Sequence, residues 1–239
     1  MIDLSSLTAS LREARVVDLS QALEEHMPHY PTHGKFFHNL YTSYWHGDRA
    51  LSYQLVMHEH NGTHVDAPAH FISDAKPPAH VTIDQVPPTR LMGRGVRLNC
   101  RSFREKEYVS RSFVIAWEAQ HGAVRADDIV LFDFGWSAYW GLRPDHRRYL
   151  ADWPGVGRDA AEYLIEKSVA ALGVDTLSPD PPAALAKDPI HPLVLEKGVL
   201  IIENLANLEQ LPDFFLFVAL PLKIRQGSGS PIRAVALCV

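Results

Sequence analysis

The chain has 239 residues, 46% of them hydrophobic, which is the length and apolar content of one ordinary domain with a buried core. Its 23 Lys and Arg against 28 Asp and Glu give a formal net charge of -5 with no basic block, which excludes the electrostatic footprint of a nucleic-acid binder. Two widely separated cysteines, Cys100 and Cys238, in no CxxC spacing exclude a disulfide scaffold and a zinc knuckle and point to a reducing compartment.

No apolar run approaches the roughly 20 residues that span a bilayer, and the first residues lack the basic and apolar regions of a signal peptide. A soluble cytoplasmic chain with no membrane partner is expected. Residues 5–14 read as a short helix capped by Ser5 or Ser6, followed by a strand at 16–20. Residues 26–39, HMPHYPTHGKFFHN, have two prolines, four histidines and three aromatics without periodicity, which suits a loop over a pocket or partner. ALSYQLVMHEH at 50–60 alternates like a strand, with Leu51, Tyr53, Leu55 and Met57 on one face and Gln54, Val56, His58 and His60 on the other, and places His60 at a strand end. Asn61 and Gly62 break it, and Thr63 to Asp66 resume an extended run in which His64 and Asp66 share a face. Pro68 ends regular pairing and stiffens the turn carrying His70.

Residues 73–90, with Pro77, Pro78, Pro87 and Pro88, read as an irregular connection holding a short edge segment, VTIDQV, at 81–86. A strand at 93–100 precedes a helix capped by Ser110, running through about Gln120 and stopped by Gly122. DDIVLFDFGW at 127–136 has the continuous apolar run of a buried strand. Ser137 to Trp153 lacks periodicity and reads as an excursion at the surface or over the pocket. Ala161, Leu164, Ile165, Val169 and Leu172 keep helical spacing and predict a helix from about Gly157 to Leu172, ended by Gly173. VDTLSPDPP then reads as a strand leading into a proline-rich loop, and a further loop holds Asp188 and His191. Two more strands, 198–204 and 214–220, flank a helical turn at 205–211, and AVALCV closes the chain as a last strand. Strands interleaved with two helices argue for a single mixed α/β domain over residues 1–239.

The chemistry concentrates in HEHNGTHVDAPAHF at 58–71, where His60, His64, Asp66 and His70 form an HxxxHxDxxxH array. A lone histidine is ordinarily a surface or satisfied core residue, but this clustering around backbone-fixing Gly62 and Pro68 reads as a metal site. Imidazole and carboxylate are the ligand types that suit zinc or manganese. An ion held by His60, His64 and Asp66 keeps open positions, the mark of a catalytic site. Glu203 ends the apolar strand GVLIIE, where burial without a partner costs several kcal/mol; a cation supplies the partner, and a solvent-facing carboxylate is the alternative. On its own His191, beside Pro192, reads as a loop histidine. His58 carries no metal role and reads as a supporting or structural residue.

HNGTHVDAPAHF at 60–71 resembles the HxGTHxDxPxHF signature of the cyclase or bacterial kynurenine formamidase family of metal-dependent hydrolases. DTLSPD at 175–180, His191, IIENLANLEQLP at 201–212 and GSGSPIRAVA at 227–236 resemble that family's later blocks. The resemblance implies a barrel-like mixed sheet of the swivelling β/β/α type flanked by helices. It implies one divalent ion on His60, His64 and Asp66, and a second on Asp66 as a bridge with His191 and Glu203. His70 would be the catalytic acid/base. The implied cofactor is zinc, with manganese as second choice, in one or two ions per chain. The implied activity is hydrolysis of a C–N amide bond in a small aromatic substrate, N-formylkynurenine of tryptophan catabolism or a cyclic amide, by a homodimer or homotetramer. A lactone hydrolase on the same site and an inactive metal-binding protein are the competing readings. Tyr30, Pro31, Thr32 and His33 stand where the family has a Trp-Pro-Gly-Asp turn, so substrate identity is not carried over.

Overall fold

The structure, a computed structural model, describes residues 3–76, 78–182 and 187–238. Pro77 of the expected irregular connection and Val239 of the closing strand lie outside them. Four parallel strands form the centre of one sheet: β5 (Met92–Asn99), β7 (Ile129–Asp133), β9 (Ala171–Val174) and β10 (Leu200–Glu203). Antiparallel strands extend it on both sides. β11 (Phe214–Val218), β13 (Val235–Cys238) and β1 (Arg15–Asp18) follow β5, while β4 (His64–Asp66) and β12 (Gly229–Pro231) follow β10. The nine strands curl into a half-barrel, in agreement with the expected mixed, barrel-like α/β fold. Two small sheets stand apart, a hairpin of β2 (Phe37–Thr42) with β3 (Ser52–Val56) and a pair of β6 (Tyr108–Val109) with β8 (Gly155–Val156).

Side-chain parity sorts the strands onto two cores, because successive residues of a strand face opposite sides. Val130, Phe132, Leu172, Val174 and Ile201 point to a layer of helices, where they meet Val114 and Trp117 of α2 (Arg111–His121), Leu164 of α3 (Arg158–Glu166) and Val194 of α4 (Ile190–Glu196). Ile129, Leu131, Leu200, Ile202 and Val65 point into the concave side. Strands covered on both faces require the unbroken apolar runs that the sequence has at 129–132 and 199–202. No helix among the described residues is long and apolar enough to cross a membrane.

Several expected elements are redrawn. The helix expected to reach Leu172 stops at Glu166; Ser168 leaves helical space at φ 60°, and Ala171–Val174 pairs in parallel with both β7 and β10. Its apolar run is too short for spacing to separate helix from strand. The first helix, α1 (Leu4–Glu13), is capped by Asp3, whose carboxylate accepts from the Ser5 and Ser6 amides, so those serines are capped residues rather than caps. VTIDQV forms a 3-10 turn at Ile83–Gln85, not an edge strand. His191 sits in the first turn of α4, with Pro192 following in a position that tolerates proline. The strand expected over 50–60 is confined to Ser52–Val56 and pairs with part of the expected loop, leaving His58 and His60 in a turn. The 137–153 excursion is anchored inward, since Tyr149 is fully buried and Trp153 nearly so.

Candidate metal centre

The ladder of β4 places most of the site. In its register His64 lies opposite Glu203 of β10 and Asp66 opposite Ile201, so the two β4 side chains and Glu203 share Ile201's helix-side face. His191 enters from α4, in the helix layer above the same strand end. His60 comes from the turn preceding β4 and lies over Gly229 of β12, where a Cβ would sit 2.5 Å from the His60 Cε1. Only glycine admits that approach. Gly62 is required for a second reason, since its φ is +62° and a Cβ there would meet the Leu23 Cδ2 at 2.5 Å. The expected set of His60, His64, Asp66, His191 and Glu203 is thus brought together, all five buried, as two triads sharing Asp66.

Hydrogen bonds outside the cluster decide which nitrogen each imidazole turns inward. The His64 Nδ1 donates to the Gly62 carbonyl at 2.9 Å, and the His191 Nδ1 donates to Asp180. The His60 Nε2 donates to the Ser228 Oγ at 2.9 Å, and that hydroxyl donates to the Glu59 Oε2 at 2.7 Å. The remaining lone pairs all face carboxylate oxygens. The His60 Nδ1 is 2.6 Å from the Asp66 Oδ1. The His64 Nε2 is 3.3 Å from Glu203 and 3.4 Å from Asp66, and the His191 Nε2 is 3.1 Å from Glu203 and 3.5 Å from Asp66. Carboxylates packed against imidazole nitrogens in a buried site call for positive charge between them, a proton or a metal ion, and three imidazole nitrogens with two carboxylates are a donor set that fits zinc or manganese.

The electrostatics agree. Burial acts to lower the pKa of His64 and of His191, yet the hydrogen bond to Glu203 in the first case and to Asp180 in the second outweighs it, and both are raised. Burial acts to raise Asp66 and Glu203, but His60 and His191 hold Asp66 well below the carboxylate range, and hydrogen bonds from His191 and His64 hold Glu203 down. The cluster therefore favours anionic carboxylates with positive charge between them.

His70 differs in kind. It ends the 3-10 turn Pro68–His70, its ring stacks on that of His60 at 4.0 Å, and burial lowers its pKa to about 4. A neutral imidazole thus stands at the edge of the cluster outside both triads. The next residue, Phe71, is 48% exposed with its ring 5.0 Å from that of His191, an aromatic rim on the same side. His58 supports the turn, its Nδ1 accepting from the His60 amide and its ring stacking on His33 at 4.3 Å.

Three supporting residues escape a reading by motif. Asp180, fully buried, accepts from the Ile190 amide as well as from His191, so it fixes both the start of α4 and the ring of its histidine. Asn204, at φ 58°, donates to the Gly62 carbonyl at 2.9 Å, accepts from the Tyr149 hydroxyl at 2.7 Å and, through its own carbonyl, accepts from Thr63. It ties the end of β10 to the His60–His64 turn and gives the 137–153 excursion its purpose. Ser228 is the third. For Asp180 the signal was the acidic end of DTLSPD, with no spacing to link it to His191. Asp180→Ala is expected to weaken metal binding by about 10- to 100-fold, the usual cost of losing a carboxylate behind a ligating histidine. Competition against a chromogenic chelator measures it, and unchanged affinity would remove Asp180 from this role.

Comparison with known proteins bears on this arrangement. The model of a family described as putative cyclase matches residues 17–181. The chain is 34% identical to isatin hydrolase of Roseibium aggregatum over 196 residues, 77% of this chain and 73% of that protein. It is 31% identical to kynurenine formamidase of Paracidovorax citrulli over 186 residues, 76% of this chain and 77% of that one. Isatin hydrolase A from Ralstonia solanacearum superposes with a TM-score of 0.91 at 31% identity, covering 100% of this chain and 98% of that chain.

Proposed function

The chain belongs to the putative cyclase family, and on that premise we propose that it is a divalent-metal-dependent hydrolase of a C–N amide bond in a small aromatic molecule. The observation that carries this reading is the packing of three inward imidazole nitrogens against two carboxylates, Asp66 and Glu203, in two triads that share Asp66. His60, His64 and Asp66 hold one ion; Asp66, His191 and Glu203 hold a second. Zinc is the first choice and manganese the second, as the ligand types suit both. When bound, such an ion acidifies water toward a pKa of about 7 and polarises a carbonyl oxygen.

The chain's own residues supply the rest. His70, neutral at pH 7, takes a proton at its free ring nitrogen from the attacking water and returns it to the departing nitrogen. Phe71 offers an aromatic face beside His191 for the substrate ring. Asp180, Asn204 and Ser228 hold the inward nitrogens in place, which preserves the geometry through turnover.

A cyclic aryl amide such as isatin is the preferred substrate, on the strength of the full-length superposition with an isatin hydrolase. N-formylkynurenine is the second, supported by similarity to kynurenine formamidases over 91% to 97% of this chain's length in several organisms. The enzyme acts as a cytoplasmic homodimer or homotetramer. Metal-loaded protein assayed on isatin, N-formylkynurenine and an aryl lactone is expected to favour isatin. A preference for the lactone would overturn the amide reading, and turnover of none would overturn the hydrolase.

A further inference from the structure

The 26–39 loop and the 137–153 excursion meet where the Arg143 amide donates to the His26 carbonyl at 3.3 Å, around a cavity of about 110 Å³ that includes no member of either triad. Its apolar lining is Met27, Phe36 and Phe37, the first two buried, and its charged lining is Lys35, Arg143 and Glu25. The charges do not pair. Arg94, Arg97, Arg111, Arg158 and Arg233 each hold a carboxylate, whereas among the described residues Lys35 and Arg143 hold none within 4.0 Å. Glu25 accepts from the His38 amide at 3.0 Å instead. Positive charge crowds the same corner from the excursion side, where burial, then Arg143 and His29, lower the pKa of His146, and its buried Nδ1 has no hydrogen-bond partner. In a chain of net charge -5, two cations left without an acid at a cavity invite an anion from outside.

We propose that this cavity is a binding site for a small aromatic carboxylate. The charge of the ligand follows from Arg143 and Lys35, since a guanidinium presents paired donors that match a carboxylate and an ammonium adds a point charge beside it. The ring follows from the rest of the lining. Phe36 and Phe37 offer faces and edges for stacking, and the Met27 thioether is a favourable neighbour for an aromatic edge. The size is that of one ring, as an apolar cavity of roughly 150 Å³ holds benzene. An anion without a ring would leave the apolar lining unused.

The same loop reaches the metal centre. Beyond His29 it turns at Tyr30–His33, where the His33 ring stacks on His58 and lies 5.5 Å from that of His60, and the Gly34 carbonyl accepts from the Asn61 side chain between His60 and His64. An aromatic acid is also what the proposed reaction makes. When a cyclic aryl amide takes up water, the C–N bond breaks, the acyl carbon keeps the water oxygen as a carboxylate, and the nitrogen leaves as an aniline. The pocket is thus fitted to the product class, an identification of the natural ligand that rests on the amide reading above, while the pocket's chemistry does not.

The test is calorimetric titration of the full, zinc-treated chain with benzoate, with benzamide as the uncharged ring and with acetate as the ring-free acid, on wild type and Arg143→Gln. Near-ultraviolet circular dichroism reports folding. Benzoate affinity is expected to fall at least about tenfold in the variant, the size of one lost hydrogen bond to a charged group, and wild type should bind benzamide and acetate at least about tenfold more weakly than benzoate. Equal benzoate affinity in the two proteins assigns the acid to the metal centre or the open surface and overturns the site. Acetate bound as tightly as benzoate overturns the aromatic class, benzamide bound as tightly overturns the role of charge, and no benzoate binding overturns the whole. If Arg143→Gln does not fold, Lys35→Gln, at an exposed position, is judged by the same outcomes. No turnover enters the readout, so failure of the hydrolase reading leaves this result standing, and failure here leaves that reading untouched.

Discussion

Asp66→Ala is expected to lose both metal ions and to lower hydrolysis by at least about 10⁴-fold, since an ion supplies several kcal/mol of transition-state stabilisation and each ~1.4 kcal/mol is tenfold. The size follows from its position. Asp66 Oδ1 lies 2.6 Å from His60 and 3.4 Å from His64, and its Oδ2 lies 3.5 Å from His191, so it is the one residue that belongs to both triads. Removing it leaves the three inward imidazole nitrogens facing Glu203 alone, and one carboxylate cannot offset two divalent ions. The β4 backbone keeps its partners in β10 and β12, so the variant is expected to fold. Glu203→Gln is the informative contrast, because it weakens only the triad with His191 and should retain the ion on His60, His64 and Asp66. Elemental analysis reads both, and full occupancy in Asp66→Ala would remove it from the ligand set.

His70→Ala is the second large effect, with the opposite signature. His70 belongs to neither triad and stacks against His60 without a hydrogen bond among the described contacts, so its loss leaves the ligands in place. Metal content should equal that of wild type while kcat falls by roughly 100-fold or more, the usual size of a general acid/base contribution. The lone pair that makes it competent is present because burial holds its pKa at about 4. Activity within a few-fold of wild type would transfer the proton step elsewhere.

What could be read from the sequence was whatever lies close along the chain. His64 and Asp66 are two residues apart on one strand, and the glycine and proline that bracket them announce the turns, so the spacing alone assembled one triad. Joining Glu203 and His191 to it took the family resemblance, since nothing in 201–204 says that β10 pairs with β4 in the register that sets Glu203 against His64. Ser228 is separated from His60 by 168 residues and meets it only because β12 pairs with β4. The first strand of the β2–β3 hairpin was hidden for a different reason. Strand alternation is imposed by a core on one side and water on the other, and this hairpin has no core; β3 alternates and was legible within 50–60, whereas the FHNLYT of β2 carries no such period and its start read as loop.

The central claim is that turnover belongs to ions held by this buried cluster. It is tested most directly by stripping the wild-type protein with a chelator, reloading it stepwise with zinc or manganese, and following ion content and hydrolysis of isatin and N-formylkynurenine in the same samples. Activity should vanish in the stripped protein and return in step with metal, up to two ions per chain. Hydrolysis that persists in the metal-free protein, or protein that takes up its full metal and hydrolyses neither amide, would contradict it.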